Sequence, residues 1–204
     1  MTTTPLANET IAVPLSGLVE AEVRLGFGGG ELTVGPAQPG TLISGTFEGG
    51  VIQRSKAPGR IELEPLSPGR PLVTWRPVQW NMGLTTEIPV DFRLDTGANR
   101  STIDLTGLRI RRLEIHTGAS ETNVQLPAAG ETAVRVECGF ASVNLVVPHG
   151  VAARISGTVS LGAIDVDESR FPRVAEGWAS ADYETAANRV DISVSGGFGS
   201  VRIT

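Results

Sequence analysis

The chain has one cysteine, Cys138, in 204 residues, which excludes an internal disulfide and gives no sign of an oxidising compartment. It also lacks excess positive charge: the formal net charge is -5, which argues against nucleic-acid partners, because binding phosphates takes clustered Lys and Arg. No uncharged apolar run approaches the roughly 18 residues of a membrane span. The N-terminus Met1 to Glu9 has neither the basic nor the apolar region of a signal peptide, so the expected location is cytoplasmic. The sequence contains no G-x-S-x-G, H-E-x-x-H or C-x-x-C motif, and so gives no hydrolase elbow, zinc helix or dithiol pair to follow. Helical patterning is weak throughout; only Ser180 to Arg189 has helix-friendly composition. Aromatics are 5% of the chain, whereas Gly (25) and Pro (13) are abundant, a balance that suits many short strands joined by tight turns.

What the sequence does have is a register. Gly97-Ala98, Gly118-Ala119 and Gly139-Phe140 recur every 21 residues, and apolar positions travel with them. Five before each glycine stand Phe92, Leu113 and Val134; three before, Leu94, Ile115 and Val136. Six after come Ile103, Val124 and Leu145; eight after, Leu105, Leu126 and Val147. A fixed period of this kind marks stacked repeats in which each unit packs on its neighbours. With one strand before the glycine, one after it, and Pro or Gly-rich corners such as Leu126-Pro127 and Val147-Pro148, the pattern predicts an all-β, single-domain β-solenoid. It would be parallel β-helix-like, with flattened two-sheet coils and little or no helix. An antiparallel meander would also alternate with period 2.

The organisation read from this pattern is a polar lead-in over 1–17 and one domain over 18–204. Within that domain, 18–79 holds irregular coils, including alternating runs at Leu42 to Phe47, Arg60 to Glu64 and Leu72 to Trp75, with a turn at Pro68-Gly69. Regular repeats fill 80–166, and the next period lands on Ser160. The stretch Gly197 to Ile203 matches Gly139 to Leu145 at 197 − 139 = 58 residues, so about two periods plus an insertion separate them. The insertion, 167–188, carries Phe171, Trp178 and Tyr183, and 189–204 is a closing coil. Those three aromatics are either a lid over the last coil, whose open edge would invite aggregation, or a candidate interaction surface.

Stacking sets equivalent outward positions side by side. Arg93, Glu114 and Arg135 form a ladder of alternating charge, and Asp95, His116 and Glu137 place an imidazole between two carboxylates. Cross-strand ion pairs suffice to explain both; the alternative for the second is a metal or acid-base site, although the face is expected to be open and without a pocket. Cys138 falls in the column of Thr96 and Thr117, a slot for a small side chain rather than a nucleophile. Thr102, Asn123, Asn144 and Asp165 read as a surface hydrogen-bonding stack. Asp165, Asp167, Glu168 and Arg170 are an acidic turn, or the carboxylates of a glycan-processing groove.

Residues Trp80 to Ala98, Ile103 to Leu108 and Leu113 to Ala119 resemble bacterial toast-rack domains, which are related to the C-terminal domain of LiaF-like cell-envelope stress proteins and to adhesin-like domains of unknown function. Tyr183 to Ile203 looks like the close of such domains and Pro14 to Val34 like their opening. The resemblance implies a β-solenoid without catalytic residues or cofactors. LiaF-like proteins carry membrane helices and restrain a sensor kinase; this chain shows no such helices. The function expected is a non-catalytic interaction or scaffolding protein linked to envelope stress. Its partner would be an unknown protein, membrane-associated in that setting, with self-association through the solenoid ends as a further option. The alternative is an adhesin-like or carbohydrate-active β-helix protein.

Overall fold

In the computed structural model, residues 7–66 and 77–204 are described; the run Leu72 to Trp75 and the turn Pro68-Gly69 lie outside them. The described residues form strands and turns with no helix. The strands are β1 (Asn8–Pro14), β2 (Ala21–Pro36), β3 (Thr41–Glu48), β4 (Val51–Ala57), β5 (Arg60–Pro65), β6 (Gln79–Leu84) and β7 (Val90–Asp104). They continue as β8 (Ile110–Gln125), β9 (Glu131–Val146), β10 (Ala152–Val166), β11 (Arg173–Val174), β12 (Gly177–Ala179) and β13 (Arg189–Ile203). Ser180 to Arg189 is turn and bend until β13 begins, and β1 is a strand within the stretch expected to be a lead-in.

The long strands follow from their composition. In β9, the β-branched or aliphatic Val134, Val136, Val143 and Leu145 are buried and alternate with outward Ala133, Arg135, Ser142 and Asn144, the pattern of a half-buried pleated strand. At Gly139-Phe140 two successive residues face outward, which switches the parity of the inward positions. Both halves of the strand therefore turn their apolar side chains toward one interior, although the strand runs on through the bend. The same switch occurs at Gly97-Ala98 and Gly118-Ala119. All twelve apolar side chains of the four repeat columns are buried.

β2, β7, β8 and β9 pair in parallel, so Phe92 lies beside Leu113 and Leu113 beside Val134. The repeats are thus not an antiparallel meander. The sheet forks at β2: its first half pairs with β5, which carries β4, and its second half pairs with β6, which carries β3 and then β1. The result is a large, mostly parallel mixed sheet of thirteen strands among the described residues. At the forked end the core is filled by Trp80, whose ring centroid lies 5.1 Å from that of Phe27 and 5.0 Å from that of Phe47. The Trp80 indole N–H donates to the Glu48 carbonyl at 3.0 Å.

The far end departs from the expected order. β13, expected to close the array by chain order, enters between β9 and β10. Val134 pairs with Ile192, and Ile192 with Ile155. Val134 and Ile155 stand one 21-residue period apart in sequence yet two strands apart in the sheet. The insertion supplies the length that carries the chain across β10 to reach this slot. Its hairpin, β11 and β12, pairs back onto the start of β10 with Trp178 opposite Ile155.

Candidate functional site

The bend brings together the side chains that carry chemistry. Asp95, His116 and Glu137 are aligned by the parallel register. His116 Nδ1 lies 3.3 Å from Glu137 Oε2 and 4.0 Å from Asp95 Oδ1, while its Nε2 is buried without a hydrogen-bond partner among the described residues. Both carboxylates are also held by arginine. Asp95 accepts from Arg24 Nε at 2.7 Å and from Arg93 at 3.0 Å, and Glu137 accepts from Arg135 at 2.6 Å. Burial would raise the Asp95 pKa, but the hydrogen bonds from Arg93 and Arg24 outweigh it and hold the carboxyl below its usual range. The Arg135 hydrogen bond, helped by His116, lowers Glu137 likewise.

Of the expected ladder of Arg93, Glu114 and Arg135, one rung forms: Arg93 reaches Glu114 at 3.3 Å, whereas Arg135 turns to Glu137 on its own strand. Below the charged row, Thr96 donates to the Thr117 hydroxyl at 2.9 Å, and Cys138 occupies the next rung. Cys138 is buried, and desolvation raises its thiol pKa, which disfavours the thiolate a nucleophile requires.

The face is open, as expected, but it is not without relief: these rows line a shallow groove of about 950 Å³ whose walls include Arg24, Glu64, Asp95, His116, Glu137 and Cys138. The sequence showed the row but not the concavity, because the concavity arises from the bend. The bend in turn depends on close backbone approach: a Cβ on Gly97 would collide with the Gly28 carbonyl oxygen. Among the described residues, no group of three or more His, Cys, Asp or Glu side chains has the arrangement of a metal site.

The other acidic candidates are dispersed into local bonds. Asp165 pairs with Arg202 at 3.0 Å, because β13 sets Arg202 between Asn144 and Asp165. Of the expected stack, Asn144 donates to Asn123 at 3.5 Å. Asp167 accepts from the Ser169 backbone at 3.1 Å, Glu168 accepts from the Trp178 indole N–H at 3.1 Å, and Arg170 donates to the Val147 carbonyl at 2.8 Å. They do not assemble into a groove.

Phe171, Trp178 and Tyr183 are buried, at 1%, 8% and 8% exposure, so they do not form an exposed aromatic surface. Phe171 and Trp178 join the main core, and the Tyr183 ring lies under the Arg154 guanidinium at 4.5 Å. Among the described residues, the aromatics that do face outward sit at the bend. Phe140 and Phe198 are 68% and 45% exposed and stack at 4.6 Å, and Leu161, 62% exposed, pairs beside Phe198. The sequence signal for this row was the Phe shared by the Gly139-Phe140 and Gly197-Phe198 matches.

This geometry defines an all-β chain built on one mostly parallel sheet of bent strands, with a polar groove at the bend. Residues 2–146 match the N-terminal domain of toast_rack, DUF2154, and the chain belongs to that family. It is similar to a solved structure, a putative cell adhesion protein from Clostridium sporogenes ATCC 15579, at 20% identity and a TM-score of 0.85, over 98% of this chain and 99% of that one. At that identity the likeness is one of fold. A putative adhesin from Bacteroides fragilis NCTC 9343 matches over 99% and 98% of the two chains, at 8% identity and a TM-score of 0.40, and carries no argument. No curated protein matches the chain. Among the described residues, no helix is long and apolar enough to cross a membrane.

Proposed function

We propose that this toast-rack chain is a non-catalytic interaction or scaffolding module in which the stacked bent strands form the coils of a β-solenoid. The observation that carries this reading is a contrast in commitment. The groups able to do chemistry, Asp95, His116 and Glu137, are held in a ladder with Arg24, Arg93 and Arg135. The stacked Phe140 and Phe198, by comparison, present apolar surface outward, and contiguous exposed apolar side chains mark contact sites. The resemblance to LiaF-like proteins makes an envelope-stress sensor or another membrane protein the partner of choice. Affinity capture from host cells tests this with the wild-type chain and a Phe140→Ser/Phe198→Ser variant as parallel baits. A sensor kinase or membrane protein retained by the first and lost by the second supports the reading; equal recovery by both, or none by either, overturns it.

The groove favours a second reading, an adhesin-like or carbohydrate-binding protein. Arg24 stands beside Asp95 at 2.7 Å in a concavity that also holds Glu64 and Glu137, and carboxylates with guanidinium groups can bond sugar hydroxyls in both directions. The solved neighbour of like fold is named for cell adhesion. Retention on a glycan array that is abolished by Asp95→Ala would establish this reading, and an array without retention would remove it.

A further inference from the structure

The end of the sheet at β10 is covered over one half and bare over the other. On the first half, β12 pairs with Arg154 and Ile155, and Phe171 and Trp178 close the core. On the second half, from Gly157 to Val166, β10 pairs only with β13 among the described residues. Its outer backbone groups are therefore an open template for another strand. The inward side chains show the same lack of cover: Ile164 and Val166 are half-buried, where Val201 and Ile203 of β13 and Val143 and Leu145 of β9, in the same rows, are buried. The outward row Phe140, Phe198, Leu161 also runs to this edge and stops there.

Among the described residues, the other free edges are guarded: β4 pairs only with β5 and carries Arg54 and Lys56, β1 pairs only with β3 and carries Glu9 and Pro14, and β11, two residues long, pairs only with β12 and carries Arg173. Charged side chains and proline are the usual means of keeping an edge unpaired. From Gly157 to Val166 there is neither Lys nor Pro, and the one charge, Asp165, is already met by Arg202 at 3.0 Å. A foreign strand chosen by charge would find little to read on such an edge.

We propose that this half of β10 is the dimer interface of the chain, and that a second copy covers it by antiparallel pairing of Gly162–Val166 across a twofold axis. An axis perpendicular to the sheet keeps each face on its own side, so Ile164 lies opposite its counterpart and the two cores become continuous. Asp165 then faces Ala163 rather than a second carboxylate, which avoids a like-charge pair directly across the strands. The contact is self-complementary and closes at two copies. Head-to-tail growth would need the guarded β1 or β4 edge, or the two-residue β11, as its other surface. The interface is separate from the partner reading above, which rests on Phe140 and Phe198.

Sedimentation equilibrium from low to high micromolar concentration tests the proposal. The wild-type chain is expected to rise toward twice its 21.4 kDa mass, and a Leu161→Lys/Ala163→Lys variant to stay at one chain across the range. Both positions are exposed, so the variant should melt like the wild type in dilute solution, where both are monomers, and Val19→Lys, at a distant exposed site, should dimerise normally. In the wild type, amide exchange across Gly162–Val166 should slow as concentration rises. A wild-type chain that stays monomeric, a lysine variant that dimerises equally well, or exchange at these amides that ignores concentration would overturn the interface. None of these outcomes bears on whether Phe140 and Phe198 hold a different partner.

Discussion

Phe140 and Phe198, 58 positions apart in the chain, stack with ring centroids 4.6 Å apart and planes within 7° of parallel. They meet because β13 is inserted beside β9, which sets Gly196 next to Cys138 and Ile203 next to Leu145. An aromatic pair of this kind contributes about 0.5–1.5 kcal/mol beyond its buried area, and the coupling exists only if the two strands are neighbours. A double-mutant cycle with Phe140→Ala and Phe198→Ala, read by urea denaturation, should therefore return a coupling of about 1 kcal/mol. Additive effects would place β13 elsewhere in the sheet.

The inward columns make a stronger prediction. Val124 is 1% exposed, between Ile103 and Leu145 in adjacent strands. Val124→Asp would bury a carboxylate with no cationic partner built for it, and should destabilise the chain by about 4 kcal/mol or more. Asn123→Asp, one residue away on the half-buried outward face, should cost far less. Comparable urea midpoints for the two variants would show that the inward parity after the bend is wrong.

The contrast between Val124 and Asn123 shows how much of the fold was legible. Period-2 alternation on each side of the glycine names the inward residues, and the parity switch at Gly118-Ala119 is written in the spacing of Ile115 and Val124. Adjacency was not legible. The match of Gly197–Ile203 to Gly139–Leu145 reports equivalence of position in a repeat, which any neighbour in the stack satisfies, so it could not place β13 inside β10. Nor could the aromatics of the insertion be sorted into lid or surface, since Phe171 and Phe140 differ in what covers them and not in chemistry. For the groove, sequence supplied Asp95, His116 and Glu137 but not Arg24 or Glu64, which belong to strands outside the regular repeat.

The bend itself can be tested through its glycines. A methyl group on Gly97 would collide with the Gly28 carbonyl oxygen, whereas on Gly118 it would stand 3.2 Å from the Gly97 oxygen, a tight contact that a small shift relieves. Overpacking against a backbone that cannot retreat costs about 1–3 kcal/mol. Gly97→Ala should thus lose about 2 kcal/mol and Gly118→Ala clearly less, as measured by thermal or urea unfolding. Equal losses would mean that the bend relaxes as freely at its first rung as at its second.

Acid should weaken the charged row. Asp95 is held below its ordinary pKa because the hydrogen bonds from Arg93 and Arg24 outweigh its desolvation. A carboxyl whose folded pKa is depressed stabilises the fold above its unfolded pKa, near about 3.9, and loses that contribution as pH falls through the folded value. Glu137, lowered by Arg135 and His116, works in the same direction. Asp95→Asn should then cost about 1 kcal/mol at neutral pH, a figure reduced for the partial exposure of the site. The difference between wild type and variant should shrink on acidification below about pH 4 and also with added salt. If the urea midpoints of the two proteins stayed equally far apart from neutral to acid pH, the Asp95 carboxylate would be acting through shape and hydrogen bonding alone. The row at the bend would then owe its stability to packing rather than to charge.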